Sequence, residues 1–168
     1  LVEGDSIVTT REGAYDYYDQ IWYKQPKQLA KPCWTDPFDD YNDSSLYTKN
    51  IIASYCKPLY MDDGRFIGVI SSDLALNRLK EAIADKQPYP NTYFVMVNSE
   101  GRFIIHPDST QELNKNIFED LDPEKQPDLI ALGHEMTIGA KGHMQVSING
   151  TPCLVCFQPV PDTRWCLD

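Results

Sequence analysis

The stretch Ile51-Ile52-Ala53-Ser54-Tyr55-Cys56-Lys57-Pro58-Leu59, then Asp62-Asp63-Gly64, then Phe66-Ile67-Gly68-Val69-Ile70-Ser71-Ser72-Asp73, decides how the chain folds. Both flanks are apolar and rich in β-formers, and turn residues separate them, so the pair reads as an antiparallel hairpin. A three-residue loop ending in glycine suits a type I turn followed by a left-handed residue, which glycine adopts without steric cost. Carried along the strands, that register sets Tyr55 opposite Ser71, with Asp73 on the same face. A slip of one residue would break this grouping, because it turns every side chain to the other side of the sheet.

Downstream of the hairpin, Leu76, Leu79, Lys80 and Ile83 recur at helical spacing, with Asp73 placed to cap the helix by accepting backbone N–H bonds. The helix has to end before Gln87-Pro88-Tyr89-Pro90-Asn91, where two prolines remove donors and restrict the residues before them. That segment marks a boundary between a unit of residues 1–87 and a unit of residues 88–168. Beyond it, Thr92–Val97 and Arg102–Ile105 flank Asn98-Ser99-Glu100-Gly101, a second hairpin signal. Residues 108–139 are polar with scattered apolar positions and read as short helices and loops. A third hairpin, His143–Ile148 with Cys153–Val160, turns at Asn149-Gly150, where both positions tolerate positive φ. Thr163–Leu167 reads as a last strand.

The 168 residues are 42% hydrophobic with a formal net charge of -10 and a pI near 4.6. That charge repels phosphate backbones and anionic headgroups, so nucleic acid is excluded as an expected partner. No apolar run reaches the ~20 residues that cross a bilayer. Five cysteines, Cys33, Cys56, Cys153, Cys156 and Cys166, leave at least one unpaired if the others pair within the chain. Cys153-x-x-Cys156 sits in a strand-like run, where residues three apart point to opposite faces, and no second Cys pair or spaced His completes a zinc site. No metal or cofactor is expected. The acidic run Asp36–Asp43 alternates oxygen ligands but lacks the glycine and terminal glutamate of an EF-hand loop, so a solvated turn is the favoured reading.

Taken together, Tyr15, Trp22-Tyr23, Trp34, Tyr55 through Leu59, the Gly64 turn and Gly68–Leu74 resemble the double Cache sensor domains of bacterial chemoreceptors, histidine kinases and membrane-bound serine phosphatases. The second unit carries the same likeness through Tyr93–Gly101 with His106-Pro107, and through Phe157-Gln158-Pro159-Val160 ending in Trp165. The resemblance implies an α+β fold of two PAS-like units, each an antiparallel sheet with flanking helices, the first entered midway and so incomplete at its N-terminus. It implies a membrane-distal unit that holds the ligand, a membrane-proximal unit, an extracytoplasmic location, and a parent protein anchored by flanking transmembrane helices.

Relatives that bind amino acids use a Tyr, an Arg two residues before a Trp-Tyr pair, a later Tyr, and an Asp ending the strand after the glycine turn. Tyr15, Trp22, Tyr23, Tyr55 and Asp73 match; the Arg position is Gln20. Arg offers a charged bidentate fork to a carboxylate, whereas Gln offers one neutral amide, and Lys24 substitutes only if it points inward. One carboxylate with several aromatics therefore suits an amine as well as an amino acid, since cations sit favourably over aromatic faces. Ser71 shares the expected face with Asp73, and Trp34 is expected on a loop covering the pocket. The bland alternatives are Asp73 as a helix cap alone and Trp22-Tyr23 as core. No nucleophile elbow, phosphate-cradling loop or metal-ligand pair appears, so a ligand-binding module is preferred over two rivals. These are an extracytoplasmic hydrolase and a ligand-free Cache-like module that forms a homodimer or binds a partner protein.

Overall fold

A computed structural model of the chain describes residues 2–3, 6–7, 16–39, 51–87 and 89–168. Its elements in chain order are β1 (Val2–Glu3), β2 (Ser6–Ile7), α1 (Ile21–Leu29), β3 (Cys33–Trp34), β4 (Phe38–Asp39), β5 (Ile51–Tyr60), β6 (Phe66–Ala75), α2 (Leu76–Ala84), β7 (Met96–Asn98), β8 (Phe103–Ile105), α3 (Pro127–Thr137), β9 (Gly142–Ile148), β10 (Thr151–Pro159) and β11 (Trp165–Leu167). Two antiparallel sheets dominate. The first joins β3, β4 and β6 to β5, and the second has the order β8-β7-β11-β10-β9. With flanking helices this is the α+β, PAS-like architecture expected.

The β5–β6 hairpin forms as its turn chemistry dictates. Gly64 has φ +83°, its N–H donates to the Met61 carbonyl at 2.9 Å, and Met61 N–H donates to the Arg65 carbonyl at 2.9 Å. The expected register holds for one more pair, Tyr60 with Phe66, and then shifts. Leu59 pairs with Gly68, so Ile67 is an extra residue, a β-bulge that leaves every later pair displaced by one. Tyr55 therefore faces Ser72 rather than Ser71, and Asp73 faces Ser54. The expectation that Tyr55 and Asp73 share a face is overturned by that single inserted residue.

Burial follows the new parity. Ser54, Cys56 and Pro58 are buried on one face of β5, while Tyr55, Lys57 and Leu59 between them are exposed. Tyr23 of α1 packs edge-on against Phe66, whose partner Tyr60 lies on the Ser54 face, so α1 covers that face. The other face meets the second sheet through a cluster of Ala53, Leu76, Met96, Ile104, Ile105 and Trp165, with Trp34 and Leu79 packed beside it.

The second sheet is covered on its opposite side by α3, around Val97, Phe103, Ile117, Leu132, Met136, Val146 and Phe157. Alternation along β7 and β11 sends Val97 and Cys166 to the α3 side and Met96 and Trp165 to the first sheet. α3 is an 11-residue helix inside the stretch read as short helices and loops, opened by Pro127 at its first turn, where the missing N–H costs nothing. The Asn149-Gly150 turn has φ +51° and +79°, the two left-handed positions expected of it.

Candidate functional site

Asp73 is the carboxylate around which the first sheet is arranged. Ser54, directly opposite on β5, donates its Oγ–H to Asp73 Oδ1 at 2.5 Å, a short charge-assisted bond. Ser54 is in turn held by Thr35: its N–H donates to Thr35 Oγ1 at 3.0 Å, and Thr35 N–H donates to the Ser54 carbonyl at 2.9 Å. Thr35 is 0% and Ser54 1% exposed, whereas Asp73 itself is exposed. A solvent-facing carboxylate is thus fixed by a buried, fully bonded base. Ser71 lies two residues along the same face, opposite Cys56. Among the described residues no basic side chain is ion-paired with Asp73.

The capping role expected of Asp73 does not occur. β6 continues through Ala75, which is extended at φ -66° and ψ 130° and is the N-cap residue, and no side chain caps α2. Asp73 lies two residues too early, because the strand runs further than the helical spacing suggested.

At the start of α1, Gln20 occupies the N-cap position, half-buried and without a side-chain cap bond. Trp22 is half-buried against Tyr17 and Tyr23, at ring distances of 6.0 and 5.9 Å. Tyr23 is buried, and Lys27 Nζ lies 5.6 Å from its ring and 5.2 Å from that of Phe66, so the chain's own ammonium takes a position over this aromatic cluster. Lys24 pairs with Asp19 at 2.6 Å on the surface and does not point inward to replace an arginine. Along β6 the Phe66 end and Asp73 are separated by roughly 20 Å at ~3.3 Å per residue. The aromatic and acidic parts therefore share a face but stand toward opposite ends of it. Between them, Gln25 reaches over from α1 and donates Nε2–H to the Trp34 carbonyl at 3.0 Å. Tyr15, and the acidic run beyond Asp39, lie outside the described residues.

Tyr55 and Trp34 stand on the far side of the sheet. They oppose each other in register, with ring centroids 5.5 Å apart, and Trp34 packs 5.9 Å from Trp165. Trp34 does not cover a pocket on the Asp73 face; it joins the two sheets. Asp36 completes that junction. Its Oδ1 accepts the Trp165 Nε1–H at 3.0 Å, its Oδ2 accepts from Asn98 Nδ2 at 3.0 Å, and Arg164 lies 3.5 Å away. Both carboxylate oxygens of Asp36 are thereby engaged by donors. Among the described residues no group of three His, Cys, Asp or Glu is placed to hold a metal.

Ser54, Thr35, Gln25 and Asp36 were not legible as site residues. Ser54 and Thr35 could have been found only by counting back from Asp73 through the bulge. Asp36 gave a signal, an acidic residue two places after Trp34, but its partners lie more than sixty residues away.

A family model described as Cache domain matches residues 2–167. The chain belongs to the Cache domain family. It is similar, at 27% identity over 154 residues, to the methyl-accepting chemotaxis protein McpG of Pseudomonas putida, covering 90% of this chain and 21% of that protein. It also matches the extracellular domain assigned to the histidine kinase mmHK1S-Z2, with a TM-score of 0.72 at 21% identity, covering 93% of this chain and 56% of that one. The ligand-binding domain of the Pseudomonas fluorescens chemoreceptor CtaA in complex with L-serine matches with a TM-score of 0.65 at 20% identity, covering 95% and 63%. The chain thus spans about a fifth of its curated relative and little more than half of these solved domains. Cache domains of chemoreceptors and histidine kinases are extracytoplasmic ligand-sensing modules, and that is the class to which this chain belongs.

Proposed function

We propose that the chain senses a small cationic or zwitterionic molecule, an amino acid or an amine, on the sheet face that carries Asp73. Residues 1–87 form the ligand-holding distal unit and residues 88–168 the membrane-proximal one, in a receptor anchored by flanking transmembrane helices. The chain performs no catalysis of its own. Asp73 receives the ammonium, with Ser71 beside it, while Gln20, Trp22 and Tyr23 at the start of α1 line the same face toward its other end. With Gln20 where an arginine would grip a carboxylate, an amine loses less than an amino acid does.

The observation that carries this reading is Asp73 itself: an exposed carboxylate, braced by Ser54 and Thr35, with no cation among the described residues to neutralise it. The solved domains of CtaA and of the Pseudomonas aeruginosa PAO1 chemoreceptor PctB contain amino acids, L-serine and L-arginine respectively, which supports the ligand class. The test is a thermal-shift panel of L-serine, L-alanine, L-arginine, L-glutamine, L-asparagine and simple primary amines. A true ligand at about 100 times its Kd adds roughly 2.7 kcal/mol of stability and raises Tm by several degrees. Asp73→Asn keeps an acceptor for Ser54 but removes the charge, and weakens binding roughly 10–100-fold. A ligand that shifts Asp73→Asn as strongly as wild type overturns the site. A silent panel favours the partner-protein module.

A further inference from the structure

Cys33 on β3 and Cys56 on β5 stand directly opposite each other in an antiparallel ladder. Directly opposed residues project from the same face, with Cα atoms about 4.5–5.5 Å apart, inside the ~4.4–6.8 Å that a disulfide spans. Both side chains are buried, Cys56 completely. The pairing is selective: Cys153, Cys156 and Cys166 oppose Val146, His143 and Val97, and Cys153 and Cys156 point to opposite faces of β10. The structure shows the thiol form of all five.

We propose that Cys33 and Cys56 are the two halves of an intrachain disulfide, closed as the protein folds in an oxidising compartment, that pins β3 to β5 beneath α1. For its oxidant the proposal rests on the extracytoplasmic reading above. The step is thiol–disulfide exchange. One cysteine thiolate attacks a small-molecule or protein disulfide and expels one thiolate. The second cysteine thiolate then attacks the protein sulfur of that mixed disulfide and expels the other. The chain loses two protons and two electrons, and the oxidant leaves as two thiols. Burial pushes the Cys56 thiol up to about 12, with Cys33 adding to the shift, and raises Cys33 as well. Thiolate is the reacting species, so the folded dithiol exchanges slowly, and closure belongs to the stage before α1 covers the pair.

The link has a role in the site. β3 leads directly into Thr35, which holds Ser54, which holds Asp73. Fixing Cys33 to Cys56 removes the freedom of β3, a strand of two residues, to leave the sheet, and so keeps the base of Asp73 formed.

The test is to refold the 168-residue chain in a mixture of oxidised and reduced glutathione, alkylate the remaining thiols, digest, and map the peptides by mass. The expected result is a linked pair containing Cys33 and Cys56, about 2 Da lighter than its two thiol peptides combined, with the other three cysteines alkylated. Closing this loop of roughly two dozen residues raises Tm by roughly 6–12 °C over the reduced chain, and Cys33→Ser and Cys56→Ser each abolish that difference. Alkylation of both Cys33 and Cys56 after oxidative refolding overturns the proposal, as does either of them linked chiefly to another cysteine. Because the experiment supplies the oxidant, such a failure refutes the pairing and leaves the extracytoplasmic location untouched. The wild-type peptide map decides the matter even where a serine variant does not fold.

Discussion

Replacing Asp36 by alanine tests the junction between the two sheets. The carboxylate accepts from the indole N–H of Trp165 and the amide of Asn98, each at 3.0 Å, and lies 3.5 Å from the Arg164 guanidinium. Trp165 is 5% and Asn98 4% exposed, so truncation leaves two buried donors with no acceptor. Each such orphan costs about 1–3 kcal/mol, and the Arg164 contact, largely exposed, adds little after solvent screening. The total is roughly 2–6 kcal/mol, which in a chain of this size lowers Tm by roughly 4–24 °C. Asp36→Asn retains one acceptor for Trp165 but turns an amide toward Asn98 or Arg164, and falls between wild type and alanine. Urea unfolding followed by tryptophan fluorescence reads both variants. An Asp36→Ala midpoint corresponding to less than about 0.5 kcal/mol would refute the reasoning, since no arrangement that buries two unpaired donors is that cheap.

Two glycines with nearly the same backbone angle separate conformational strain from crowding. Gly64 and Gly101 have φ +83° and +82°, but a Cβ at Gly64 meets nothing within 4 Å, whereas at Gly101 it lies 2.7 Å from Phe118 and 2.8 Å from Ile117. Gly64→Ala is expected to lose about 1 kcal/mol and Gly101→Ala roughly 2–4 kcal/mol, measured by denaturant midpoints; equal losses would mean the Phe118 side yields freely. Asp168 gives the pH dependence. Burial raises its carboxyl to about 7 from an ordinary 3.8, against the opposing pull of the Val95 N–H. The folded state therefore holds a proton that the unfolded chain has released, so this contribution is full below about pH 4 and is lost as pH rises to about 7. Asp168→Asn does not titrate, and its Tm is expected to gain on wild type between pH 4 and 7 and to run parallel above that. A gap unchanged across the range counts against a half-buried acid whose proton the fold retains.

What the sequence yields most readily is local. Asp62-Asp63-Gly64 and Asn149-Gly150 name their turns because few residues tolerate positive φ, and the Leu76–Leu79–Ile83 spacing names α2 because one apolar face has to meet the second sheet. Asp73 and Ser71 are legible as a pair, since residues two apart on a strand share a face whatever the register. Pairing carried straight from the turn misplaces Tyr55, because Ile67 carries no mark that distinguishes a bulged isoleucine from a paired one. The junction through Asp36 was hidden for a different reason. Its donors, Asn98, Arg164 and Trp165, come from the far half of the chain, and hydrogen bonds over such separations leave no periodicity to read.

Ile67 acts as a switch of parity. One apolar residue, 55% exposed and making no ladder pair, determines that Asp73 lies on the face where α1 packs while Tyr55 looks toward the second sheet. Two chains aligned column for column would display their acids on opposite sides if only one of them carried the insertion. Motif positions in such sheets acquire spatial meaning only when counted from the turn with the odd residue included.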